Sequence, residues 1–155
     1  MPTSPNISES LKALSGKKAW GLRRSDGSVF LFDIGNPIPS ISRRTRGEWG
    51  FLFESCEWTF RGPSNQDSIS SDDDRELIES AFETMQLGDV LDAVFSASTG
   101  ELSIGFSSGF LLAVSPLDVE DDDEATEWVL FTPDDFAWDK TRSALTFGSS
   151  NTPQT

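Results

Sequence analysis

Between Trp49 and Phe60 aromatic rings recur at alternate positions, first as Trp49, Phe51 and Phe53 and again as Trp58 and Phe60. Successive side chains of an extended chain point to opposite faces, so this spacing gathers the rings on one side of a strand, whereas helical geometry would scatter them. No other feature constrains the fold as strongly, because it demands a sheet with one aromatic face shielded from water. The segment reads as two half-buried strands or one long bent strand.

The same period continues on either side. Ala19–Arg24 leads into Ser25-Asp26-Gly27-Ser28, and Val29–Ile34 follows. Asp-Gly between apolar runs is a hairpin signal. Gly35-Asn36-Pro37-Ile38-Pro39 then breaks the pattern, since proline lacks the ladder N–H, and predicts a loop over 35–46 that carries Arg43, Arg44 and Arg46. Further along, Val90–Phe95, Leu102–Phe106 and Phe110–Val114, separated by turns at Thr99-Gly100 and Ser107-Ser108-Gly109, predict a three-stranded meander ended by Pro116. Glu127–Phe131 predicts another strand, and Phe136-Ala137-Trp138 and Leu145-Thr146-Phe147 predict edge pieces.

One segment follows a different period. After a polar linker from Gly62 to Ser71, the Asp73…Glu76 spacing fits a capping box, and Leu77, Ile78, Ala81, Phe82 and Met85 form a helical stripe with Gly88 as its stop. The 155 residues suffice for one sizeable core. Residues 1–10 and 148–155, rich in Ser, Thr, Pro, Asn and Gln, predict disordered tails around a single domain over 11–147. The expected fold class is α+β, a mostly antiparallel β sheet or partly open barrel with one helix packed on it. A weak internal echo, Glu48-Trp49…Trp58 against Glu127-Trp128…Trp138, is compatible either with chance or with a pseudo-symmetric sheet in which the helix is an insertion.

Charge is distributed unevenly. The net charge of −14 divides after Gln66 into +3 (nine basic, six acidic) for residues 1–66 and −17 (three basic, twenty acidic) for 67–155. The acidic peaks are Asp72, Asp73 and Asp74 beside the helix start, and Asp118, Glu120, Asp121, Asp122, Asp123 and Glu124 in a stretch too polar to pack. Acids at a helix N-terminus favour its dipole, which offers a purely structural account of the first cluster. Such asymmetry otherwise marks an interaction surface, here one suited to a basic protein.

Composition narrows the chemistry. With no His and one Cys, the chain cannot assemble Ser-His-Asp or Cys-His catalysis, or a Cys/His zinc or iron–sulfur site of its own. Paired carboxylates remain conceivable, and Glu48, Glu54, Glu57 and Glu127 on aromatic-flanked strands are the nearest candidates. Alternation puts most of them on the solvent side, where no burial raises a carboxyl pKa. No phosphate-binding glycine motif is present, and 118–124 lacks the spacing of a calcium loop. The reading is therefore no enzyme, no cofactor and no metal. Phosphate contacts need Lys and Arg, so nucleic acid is not expected as a partner. The N-terminus has no basic or apolar leader and no run approaches a membrane span, which predicts a cytoplasmic protein with no membrane association. Cys56 reads as a small buried thiol.

The succession Gly47–Phe60, an acid-capped helix, Leu102–Leu112 and Glu127–Pro133 resembles a group of small bacterial proteins, largely of unknown function, that is similar to the acidic immunity proteins of toxin systems. The resemblance implies a single cytosolic, non-catalytic α+β domain. Joined to the charge split, it leads to an inhibitor that neutralises a basic toxin or effector through the two acidic clusters, as a monomer or weak homodimer. A nucleic-acid-mimicking anti-defence protein and a structural or assembly subunit are the alternatives.

Overall fold

The computed structural model describes residues 6–38, 46–64, 68–117, 125–134 and 136–149. β1 (Lys18–Arg24) and β2 (Phe30–Ile38) are antiparallel and joined by the Asp26-Gly27 turn, where Gly27 takes φ +59° as that dipeptide predicts. β3 (Arg46–Phe53) and β4 (Cys56–Arg61) are separate strands, which settles the choice between two strands and one. β5 (Ile69–Ser70) follows, then the meander β6 (Gly88–Phe95), β7 (Leu102–Phe106) and β8 (Leu111–Pro116). β9 (Thr126–Phe131), β10 (Phe136–Thr141) and β11 (Leu145–Ser149) close the chain. β2 extends into the expected loop because its partnership with β1 stops at Ile34. Pro37 pairs only with Gly47 of β3, beyond a bulge, so its missing N–H disturbs no second ladder.

The described residues contain two helices where one was expected. α1 (Ile7–Ala13) starts inside the stretch read as a tail, with the Asn6 side chain accepting from the Ser8 N–H at 2.8 Å. Composition misled there because few apolar side chains anchor it. Leu11 and Leu14 are 1% and 0% exposed, and that burial is what orders the segment. At the other end Gly148 and Ser149, also assigned to a tail, pair with Ala137 and Phe136 in β11. α2 (Arg75–Thr84) buries Ile78 and Phe82 and half-buries Ala81 and Met85, but leaves Leu77 exposed. Its cap is Asp74, and Asp73 instead accepts from the Ser70 N–H at 2.7 Å, so no capping box forms. Gly88 opens β6 rather than ending the helix.

All eleven described strands lie in one open antiparallel sheet, in the order β11-β10-β9-β3-β2-β1-β6-β7-β8-β4-β5. The order contains a symmetry: exchanging β1 to β5 with β6 to β10 reproduces it reversed, with β11 as an added edge strand. Each half lends its fourth and fifth strands to the far edge of the other half. The helices obey the same exchange, since α1 precedes β1 but packs on β6, and α2 precedes β6 but packs on β1. α2 is therefore the counterpart of α1 and not an insertion. The echo in the sequence takes a different register from the expected one, with Glu57-Trp58 of β4 equivalent to Glu127-Trp128 of β9.

β3 and β4 are joined by two residues yet lie in distant parts of the ladder, so the sheet has to curl over on its aromatic face. Phe30 of β2 meets Trp58 of β4 with centroids 4.6 Å apart, and Phe53, Phe60 and Phe82 surround the same ring. Phe32 reaches Phe106 and Trp128 reaches Phe95 across the same interior. Edge-to-face and offset contacts of this kind add to the burial itself. Three indoles satisfy their N–H inside the fold: Trp58 at Ser28 O (2.9 Å), Trp20 at Gly35 O (2.8 Å) and Trp138 at Ser10 Oγ (3.0 Å). The last bond ties α1 to β10.

Candidate functional site

The outer face of β4, β5 and β8 carries an acidic cleft of about 170 Å³. Alternation builds it: Trp58 and Phe60 point inward, so Glu57 and Thr59 point out, and across the ladder Ala113 and Ser115 do the same beside Leu112 and Val114. Ser71 fastens the next turn to β4, donating its N–H to Trp58 O (2.9 Å) and accepting the Trp58 N–H at Oγ (3.1 Å). That clasp sets Asp72 in the cleft wall with Glu57 and Glu101. All three carboxylates are exposed, and no Lys or Arg lies among the described residues lining the cleft. Among the described residues no three His, Cys, Asp or Glu side chains are grouped to hold a metal ion.

The acidic residues expected to meet a partner divide into three groups. Asp72 belongs to the cleft. Asp73 is committed to the Ser70 turn, and Asp74 occupies the α2 cap with no side-chain capping bond. Asp118, Glu120, Asp121, Asp122, Asp123 and Glu124 lie outside the described residues. The stems of that stretch are nevertheless placed. Pro116 of β8 pairs with Cys56, Thr126 accepts the Ser55 N–H at 3.0 Å, and Ser115 lines the cleft itself. Ser115, three positions before Asp118 in sequence, thus shares the cleft with Asp72. Glu57 and Glu101 were not expected in such a site. The alternation of β4 marks Glu57 as outward, whereas nothing local to Glu101 reveals its neighbours.

Two of the strand carboxylates weighed for chemistry, Glu127 and Glu48, are held in structural bonds. Glu127 is 4% exposed and accepts from Lys140 Nζ at 3.0 Å, while Lys140 also donates to Thr141 O. A register shift between Lys140 and Thr141 draws the two side chains together. Glu48 accepts the Asn36 N–H at 2.9 Å. Cys56 is 3% exposed, and burial, followed by the nearby charges of Glu127 and Glu54, pushes its thiol from 9.0 up to about 12. A thiol held protonated in this way is not a nucleophile at neutral pH.

No protein family, characterised protein or solved structure matches the chain. Among the described residues no helix is long and apolar enough to cross a membrane.

Proposed function

We propose that the protein is a non-catalytic cytoplasmic binding domain that holds a basic protein against its acidic cleft, as an immunity-type inhibitor holds a cationic toxin or effector. The observation that carries this reading is the joining of Asp72, Glu57 and Glu101 in one cleft on the outer sheet face. Carboxylates concentrated in one place, with no Lys or Arg among the described residues lining the cleft, attract a cationic surface from a distance, and fields of this kind raise association rates by about 10–10³-fold. A rigid sheet floor lets the charges present themselves without reorganising.

Affinity capture from the native host, washed at low and then high salt, identifies the partner, and association kinetics then test the site. With Glu57→Gln, Asp72→Asn and Glu101→Gln combined, the association rate at low salt should fall about tenfold or more and its salt dependence should flatten. Asp121, Asp122 and Asp123 replaced by Asn should act in the same direction. Unchanged kinetics in both variants would refute the reading. A captured protein that DNA displaces would favour a nucleic-acid mimic instead.

A further inference from the structure

β11 ends the strand order, and among the described residues only β10 pairs with it. A bare sheet edge is a template for a further strand, and folds usually blunt it with charge, proline or brevity. β11 carries no charged residue and no proline, and no strand of the first half corresponds to it. We infer that two copies of the chain join through β11 in a two-fold antiparallel pair, Leu145 of each lying opposite Phe147 of the other. This surface is separate from the acidic cleft, which lies on β4, β5 and β8.

The phase of the hydrogen bonds leaves the right groups open. Thr141 donates its N–H to Ala144 O across the β10–β11 turn at 2.8 Å, and Thr132 donates to Phe136 O on the other side of β10 at 2.9 Å. Alternation along the ladder then commits Thr146 and Gly148 to β10 and turns the N–H and C=O of Leu145 and Phe147 away from it. Two such strands related by a two-fold axis at Thr146 exchange four ladder hydrogen bonds. The same register sets Leu145 beside the partner's Phe147 twice over, on the face where Phe147 already meets Trp138 at 4.8 Å and Phe136 at 5.3 Å. Phe136 and Phe147 are 41% and 37% exposed, so the apolar face runs up to this edge and is left uncovered there.

The opposite edge provides the contrast. β5 is two residues long, Ser71 turns its N–H back to Trp58 O, and the Ser70 N–H, which faces away from β4, is taken by Asp73 Oδ2 at 2.7 Å. Among the described residues no group takes the N–H of Leu145 or Phe147. Charge favours a second copy as the occupant. Residues 136–149 carry Asp139, Lys140 and Arg142, and Lys140 is neutralised by Glu127. This edge is therefore near zero net charge in a chain of −14, so copies that repel elsewhere can meet here, and a basic partner gains no attraction from it.

Sedimentation velocity of the intact protein between about 1 and 500 µM tests the pairing. The mass should rise from 17.0 kDa toward twice that with a Kd of about 1–100 µM, as suits an interface below the standard size. Thr146 is the decisive position, because it is exposed and meets the partner's Thr146 directly across the two-fold axis. Its side chain bonds only Asp139 O, at 3.5 Å, so Thr146→Lys and Thr146→Glu should both stay folded, which circular dichroism checks. Each variant sets like charges opposite one another and should weaken the dimer about tenfold or more. An equimolar mixture of the two should restore dimers, now of unlike chains, because opposite charges then face each other. The pairing is overturned if wild type stays at the one-chain mass at about 500 µM, if its mass grows past two chains, if either variant dimerises like wild type, or if the mixture stays monomeric.

Discussion

Replacing Lys140 by Met leaves Glu127 buried and unpaired, and the structure sets the size of the consequence. The two side chains are 8% and 5% exposed with Nζ and Oε1 3.0 Å apart, so neither reaches bulk water when the other is removed. At the effective dielectric suited to such sites their attraction is about 5 kcal/mol, and measured losses on breaking buried pairs are about 3–5 kcal/mol. For a chain of this size that amounts to a fall in melting temperature of about 10 °C, or a drop of about 2 M in the urea midpoint. Urea unfolding followed by tryptophan fluorescence reads the change directly, and comparison of slopes checks that unfolding stays two-state. The companion variant Lys140→Met/Glu127→Leu removes both charges and should recover most of the loss, because two apolar groups of similar volume carry no desolvation penalty. A single Lys140→Met variant within about 1 kcal/mol of wild type, or a double variant no more stable than the single, would refute the assignment of this pair as a desolvated unit.

Cys56 and α1 support two further predictions. The folded protein keeps the Cys56 proton up to about pH 12 while the unfolded chain releases it near 9.0, so unfolding in that window sheds a proton and stability falls as pH rises through it. Denaturation midpoints measured at intervals of about one pH unit between pH 8 and 11 should fall less steeply for Cys56→Ala than for wild type, and parallel profiles would count against the buried thiol. Leu11→Ala should cost about 2–5 kcal/mol by thermal or urea unfolding, because Leu11 is 1% exposed; a cost near zero would mean that the N-terminal segment behaves as the tail its composition suggests.

Much of the sheet can be read along the chain. The Asp26-Gly27 hairpin, the β6–β8 meander and the inward rings of β3 and β4 each depend on period two and on turn residues, which are local properties. α1 escaped because a seven-residue helix with one buried leucine and a second at its C-cap carries too little periodicity to stand out, and its stability comes from β6 and from Trp138, far away in sequence. The register of the internal echo escaped for a related reason. Glu48-Trp49 and Glu57-Trp58 both match Glu127-Trp128 in letters, and only the exchange of strands between halves selects the second.

The sites divide in the same way. Charge along the chain located two acidic clusters, and the structure brought Asp72 of the first together with Glu57 and Glu101 in one cleft on the β4–β8 ladder.

What the sequence alone determined is therefore the alternating aromatic face, the turns that fold it into strands and the concentration of charge in the second half, all of which depend on neighbours within a few residues. What the tertiary structure decided is which strands lie side by side, how the halves exchange them, that Glu127 and Lys140 are buried together and which outward side chains share a cleft. Those outcomes follow from closing a curled sheet over one aromatic core, and the cost of leaving any part of that core in water is paid by the whole chain at once.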